Sequence, residues 1–173
     1  MTKLTVECQL VVDHIIKKTN EYNFDKTHTK QIALTIKRIQ NILFLIQIEH
    51  IKHTGETIFE DDFYAYQTGP TIPAVYDKYL KYTTGANSPV KNPQGTLSQH
   101  KRNIIDSVLE ITNNIATLDL IHYCCTMDNL WSNAYNPNAK KQHKIILKSS
   151  MFKIYHKRQQ ESMTMKIKKL KTR

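Results

Sequence analysis

The chain has 173 residues, a net charge of +10, 40% hydrophobic residues and a mean hydropathy of −0.50. That length fits one domain with a sizeable core, and that apolar content excludes an intrinsically disordered chain. No apolar run reaches the roughly 20 residues that a membrane-spanning helix needs.

With 4 Gly and 5 Pro, the composition predicts a helical protein with few tight turns. The N-terminal segment MTKLTVECQL lacks the apolar core and cleavage site of a secretory leader, so the expected compartment is the cytoplasm. The 3 Cys form no framework, and Cys124 and Cys125 are adjacent, so reduced thiols are expected. The charge is uneven. Residues 140–173 hold 12 Lys and Arg against the single acid Glu161, whereas residues 1–139 hold 13 bases and 14 acids. The basicity therefore belongs to the C-terminal tail.

In chain order, Cys8, Val11, Val12, Ile15 and Ile16 form one helical stripe and predict a first helix over about residues 3–18, with a polar loop from Thr19 to Lys30. The stretch Ile39–Ile51 is apolar nearly all round, interrupted by Gln40, Asn41, Gln47, Glu49 and His50, and predicts a buried central helix. Its start is expected at Thr35, with Leu34 and Ile39 as a hydrophobic staple, or alternatively near Thr29. Thr54-Gly55 should end it, Gly55 taking the left-handed position just past the helix. Thr57–Phe59 and Phe63–Tyr66 are the credible extended segments, Gly69-Pro70 is expected to turn the chain, and Pro73 to open a short helix. Tyr82–Leu97, with Gly85, Pro89, Pro93 and Gly95, reads as the longest loop.

Ser98 should cap the next helix, with Ile104, Ile105, Val108 and Leu109 on one face. Thr117 is expected to cap another, with Leu118, Ile121 and Cys125 inward, and Asp128 to cap a short turn carrying Trp131, broken at Asn136-Pro137-Asn138. Ile145–Tyr155 is amphipathic and fit to dock. Beyond it, the basic residues predict a frayed helix or a flexible tail.

Neither catalytic nor metal-binding motifs stand out. Asp61 and Asp62 are neighbours in an extended segment and should face opposite ways, which suits solvation or turn capping better than a shared proton. His122 can reach Cys125 along a helix, but a buried core cysteine is the plainer reading. His50 and His53 make at most half a zinc site. Trp131 is assigned to the core. In an extended segment Phe63 and Ala65 face one way and Tyr64 and Tyr66 the other. One set belongs to the core and the other suits a protein interface. The tail allows three readings: a solvated charge run, phosphate contact through Lys166, Lys168, Lys169, Lys171 and Arg173, or docking on an acidic partner.

The middle of the chain also resembles a known family. Its order is Arg38, Ile42, Leu43, Phe44 and Gln47 on the helix, Thr54-Gly55, Ile58-Phe59, then Phe63, Ala65, Tyr66, Gly69, Pro70, Pro73, Val75 and Tyr76. This is similar to the Panacea domain, the SocA-like or phage-associated GepA-like family, whose pattern runs K-L-L-Y-x-A-Q, T-G-x-P-L-F and F-x-A-W-x-x-G-P-V-x-P-x-V-Y. A second block fits at Leu120, Trp131 and Ala134. Tyr66 stands where the family has Trp, Asn41 where it has Lys, Cys124-Cys125 where it has Thr-His, and Leu130 where it has Pro. The resemblance spans roughly residues 5–157.

The residues by themselves support a cytosolic, non-enzymatic interaction module. The resemblance implies an antitoxin that neutralises a co-encoded toxin by binding it. The expected fold is a single compact, mainly α-helical domain over residues 1–157 with at most one short β-hairpin, followed by a basic tail over residues 158–173. The expected partner surface is Tyr64, Tyr66, Gly69, Pro70 and Tyr76. No catalytic residue, metal or cofactor is expected. The alternative function is nucleic-acid binding or autoregulation through the tail.

Overall fold

The computed structural model describes residues 3–25, 27–28, 30–80, 95–138 and 144–171. The fold is mainly α-helical with one two-stranded antiparallel hairpin. Helix α1 spans Val6–Phe24, and Thr5 caps it by accepting the Cys8 N–H. Helix α2 spans Ile36–Thr54, capped by Thr35 through the Arg38 N–H and ended by Gly55 at φ 75°, as its sequence predicts.

Helix α2 is the axis of the molecule: Ile39, Ile42, Leu43, Phe44, Ile46 and Ile51 are each at most 1% exposed. Burying such a side chain contributes about 1.5–3 kcal/mol. The apolar surface is nearly continuous because α4 (Gln99–Thr112), α5 (Thr117–Thr126), α7 (Lys148–Lys171) and strand β2 (Gly69–Thr71) all pack on it. Helix α4 is capped by Ser98, and Ile104, Ile105, Val108 and Leu109 are its buried face, again as expected.

Arg38 joins α2 to the far end of α4. It is 3% exposed, and its guanidinium donates to the Thr112 carbonyl at 2.6 Å and the Ile115 carbonyl at 2.8 Å. Burial lowers its pKa, but the unsatisfied carbonyls at a helix C-terminus are a favourable seat for a cation.

Several local expectations are corrected. Helix α1 continues to Phe24 rather than ending near residue 18. The polar residues there have partners: the Asn23 amide donates to the Ile32 carbonyl at 2.9 Å and accepts the Ile32 N–H at 2.7 Å. The hairpin turns at Gln67-Thr68, so Gly69-Pro70 lies on β2 and does not form the turn. Thr57–Phe59 joins no strand, because Gln47 takes its backbone groups instead.

The cap of α5 is Ala116, with no side-chain hydrogen bond, rather than Thr117. Its buried residues are Leu120 and Cys124, while Leu118 is 79% exposed. Leu118, Leu120, Ile121, Cys124 and Cys125 supply two overlapping helical stripes, and packing against α2 selects the Leu120–Cys124 one. Asp128 and Asn129 both take positive φ in the 3-10 turn Met127–Asn129. Asn129 rather than Asp128 then precedes helix α6, Leu130–Ala134. Helix α7 runs unbroken through the expected tail boundary to Lys171. The long loop expected at Tyr82–Leu97 lies, up to residue 94, outside the described residues.

Candidate functional site: an aromatic hairpin

Strand β1, Tyr64–Tyr66, pairs with β2 in the register Tyr64↔Thr71, Ala65↔Pro70 and Tyr66↔Gly69. The two-residue alternation operates as expected. Phe63 and Ala65 are each 1% exposed and point into the core, where Phe63 meets Phe44 edge-on at 5.2 Å. Tyr64 and Tyr66 lie on the opposite face and are half-buried. The second edge of β1 is also occupied: Ala65 N–H donates to the Lys144 carbonyl at 2.9 Å, and Ile146 N–H to the Phe63 carbonyl at 2.8 Å.

The hairpin is held to α2 by side-chain amides. Gln40 exchanges two hydrogen bonds with the Ile72 backbone, at 3.0 and 2.9 Å. Gln47 does the same for the Phe59 carbonyl at 3.1 Å and the Ile58 N–H at 2.9 Å. Asn41 donates to the Thr68 carbonyl at 3.3 Å and the Lys37 carbonyl at 2.8 Å. His50 Nδ1 meets the Glu56 carbonyl at 2.9 Å. Four of the five residues that interrupt the apolar pattern of α2, all but Glu49, thus pair with the backbone of an irregular buried segment, which would otherwise carry unpaired polar groups.

Gly69 fits because nothing larger can. Its φ is 101°, and a Cβ there would lie 2.6 Å from Asn41 Oδ1.

The outer face continues into α6. Trp131 Nε1 donates to the Tyr66 carbonyl at 2.8 Å, and its ring stacks on Tyr135 at 4.2 Å. Both of these aromatics are half-buried, so Trp131 is packed at the margin of the core rather than inside it. Tyr66 and Tyr64 lie near Asp77. Burial, and then the Asp77 carboxylate and Tyr64, push the Tyr66 hydroxyl pKa up. Tyr76, on helix α3 (Pro73–Tyr79), is 41% exposed. Gly69 and Pro70 are buried, so they shape the hairpin and offer no surface of their own.

Beside Tyr64 is a hollow of about 330 Å³ whose lining among the described residues includes Glu60, Asp61, Asp62, Asp77 and Lys3. Asp61 accepts from the Thr5 N–H at 3.1 Å, while Asp62 pairs with Lys148 at 3.1 Å, so the two neighbours serve different partners. Burial works against the Lys148 ammonium, but its hydrogen bonds to Asp62 and Glu60 outweigh that and raise its pKa.

The other sequence candidates are scattered. Cys124 is fully buried with its Sγ 3.6 Å from the Asn41 carbonyl, and burial pushes both the Cys124 and Cys125 thiols up, away from the reactive thiolate. His122 is exposed. His53 faces solvent and meets Glu49 at 2.9 Å, whereas His50 is buried. Among the described residues no group of three or more His, Cys, Asp and Glu could hold a metal ion, and no helix is long and apolar enough to cross a membrane. Lys166, Lys168, Lys169 and Lys171 lie on the last turns of α7, and Arg173 lies outside the described residues.

Sequence reasoning had the alternation of Tyr64 and Tyr66 but missed Trp131 and Tyr135 as their neighbours. The one available signal was the second block of the resemblance, which contains Trp131.

The fold is a helical domain that clamps a small aromatic hairpin onto its central helix. Residues 39–132, more than half of the chain, match the family described as antitoxin SocA-like, Panacea domain, and the chain belongs to that family. No curated protein and no solved structure matches the chain.

Proposed function

We propose that the protein neutralises a co-encoded toxin in the cytoplasm by binding it directly and stoichiometrically, without chemistry of its own. The partner surface is the outer face of the hairpin, with Tyr64, Tyr66 and Tyr76 as contacts and Gly69 and Pro70 holding its shape. One observation carries the reading: two tyrosines stand half-exposed on a strand paired on both edges and clamped to the central helix. Aromatic side chains on a rigid support lose little entropy on binding and dominate interface energetics. The acidic hollow beside Tyr64 favours a basic residue on the toxin. Occlusion of the toxin would bury on the order of 1,600 Å² in total.

Co-expression tests it. The product of the neighbouring reading frame should arrest growth alone and cease to do so when this protein is present. A non-toxic neighbour, or arrest that persists in the presence of this folded protein, would overturn the reading.

A second reading is nucleic-acid binding or autoregulation through the C-terminal helix. It is favoured by the 12 Lys and Arg within residues 140–173. Removal of residues 159–173 should then abolish binding. Affinity of the full chain should fall steeply between about 50 and 200 mM salt, because each phosphate contact releases counterions. A flat salt response rejects it.

A further inference from the structure

The segment that leads into α7 extends the outer face of the hairpin. Ile145 stands directly opposite Tyr64 in an antiparallel bridge. The flanking bonds, Ala65 N–H to the Lys144 carbonyl and Ile146 N–H to the Phe63 carbonyl, make this a non-hydrogen-bonded pair. Such a pair sets its Cα atoms about 4.5 Å apart and brings its two side chains together on one face. Ile145 therefore shares the outer face with Tyr64. The segment repeats the alternation of β1: Ile146 is 1% exposed, whereas Ile145 is 39% and Leu147 59% exposed. A lone exposed aliphatic side chain is ordinary, but a contiguous apolar run marks a contact surface. Tyr66, Tyr64, Ile145 and Leu147 make such a run, and both aliphatics lie outside the family match at 39–132.

Tyr64 also lines the hollow of about 330 Å³. Its carboxylates outnumber the cations beside them. Lys148 alone serves both Glu60 and Asp62, at 3.3 and 3.1 Å, and the backbone N–H of the neutral residue Thr5 holds Asp61. Asp77 adds a fourth carboxylate, and Lys3 is the lysine of the lining among the described residues.

We infer that Ile145 and Leu147 are contact residues of the partner-binding face, and that the partner meets it with an apolar side chain seated on them beside a basic side chain in the hollow. The inference rests on the hairpin reading and adds the chemistry of the partner. Continuity names the occupant: Ile145 and Tyr64 are cross-strand neighbours, so a protein that covers one covers the other. The carboxylates repel an acidic segment and attract a basic one.

The test titrates the full chain with the product of the neighbouring reading frame by calorimetry. Ile145→Lys and Leu147→Lys, both at exposed positions, should keep the parent melting temperature and each weaken binding at least about tenfold. Leu147→Glu should weaken it less than Leu147→Lys, because the partner is basic there. Ile111→Lys on α4, at a 69% exposed position, should leave the affinity unchanged. In the parent, hydrogen exchange at the Ile145 and Leu147 amides should slow on complex formation. Unchanged affinity in both Ile145→Lys and Leu147→Lys, or unaltered exchange, while Tyr64→Ala weakens binding overturns the inference and leaves the hairpin reading standing. An equal loss in Ile111→Lys also overturns it, and Leu147→Glu as damaging as Leu147→Lys overturns the basic side chain. Losses at Ile145 and Leu147 with Tyr64→Ala and Tyr66→Ala unchanged support the inference and defeat the tyrosine contacts. A product that does not bind overturns both.

Discussion

The Gln40 side chain and the Ile72 backbone exchange two hydrogen bonds, Nε2 to the carbonyl at 3.0 Å and the amide N–H to Oε1 at 2.9 Å. The glutamine, 2% exposed, acts as a strand partner rooted in a helix. Ile72 sits at the junction between β2 and α3, so the pair holds the end of the hairpin to α2.

Replacing Gln40 by Met keeps the volume and leaves the buried Ile72 N–H unpaired, while the Ile72 carbonyl keeps the Val75 and Tyr76 N–H groups at 3.1 Å. The expected loss of stability is about 1–3 kcal/mol, the cost of one unsatisfied buried group. Urea unfolding measures it, and hydrogen exchange at the Ile72 amide should accelerate more than at Leu43. A variant as stable as the parent would show that the clamp is incidental.

Leu43 is fully buried at the centre of α2. Leu43→Ala should cost about 2–5 kcal/mol, the transfer term plus the cavity left behind. A melting temperature within a degree of the parent would mean that α2 is not the core.

Gly69→Ala should destabilise the fold by about 1–3 kcal/mol, because a left-handed backbone position penalises any side chain. A Cβ would also press on Asn41 Oδ1 at 2.6 Å. Asn41→Ala has its own cost through its bonds to the Thr68 and Lys37 carbonyls, so Gly69→Ala is also measured in that background, where its cost should fall by the steric part alone. A cost that vanishes in that background would assign all of it to the contact.

His50 links stability to pH. Burial is the largest cause of its lowered pKa, and Lys101 and His100 act in the same direction, against its bond to the Glu56 carbonyl and the Glu56 charge. The folded state therefore prefers neutral His50. Its contribution is present above the ordinary histidine pKa of about 6.5 and is lost as pH falls through the lower folded value. The stability difference between the parent and His50→Gln should shrink from pH 7.5 to pH 5, by denaturant titration at each pH. A difference that grows on acidification would reverse the sign.

Much of the frame was legible from sequence. The near-continuous apolar run Ile39–Ile51, the caps Thr35 and Ser98, and the left-handed Gly55 follow from local chemistry, and the structure has them. The period of two in Phe63–Tyr66 correctly separated core from surface. What could not be read is long-range pairing. Gln40, Asn41 and Gln47 look like interruptions because their partners lie 32, 27 and 12 residues away. Trp131 meets Tyr66 across 65 residues. On α5, the apolar stripe Leu118, Ile121 and Cys125 overlaps the stripe Leu120 and Cys124, and packing against α2 selects the second.

The most direct test of the hairpin as the toxin-binding surface is the dissociation constant between this protein and the product of the neighbouring reading frame, by isothermal titration calorimetry. Tyr64→Ala and Tyr66→Ala are each measured against the parent, with circular dichroism confirming that the variants fold. Each substitution should weaken binding by more than about 1 kcal/mol, the threshold of a hot-spot residue. Unchanged affinity in both folded variants would contradict the account and move the partner surface elsewhere on the domain.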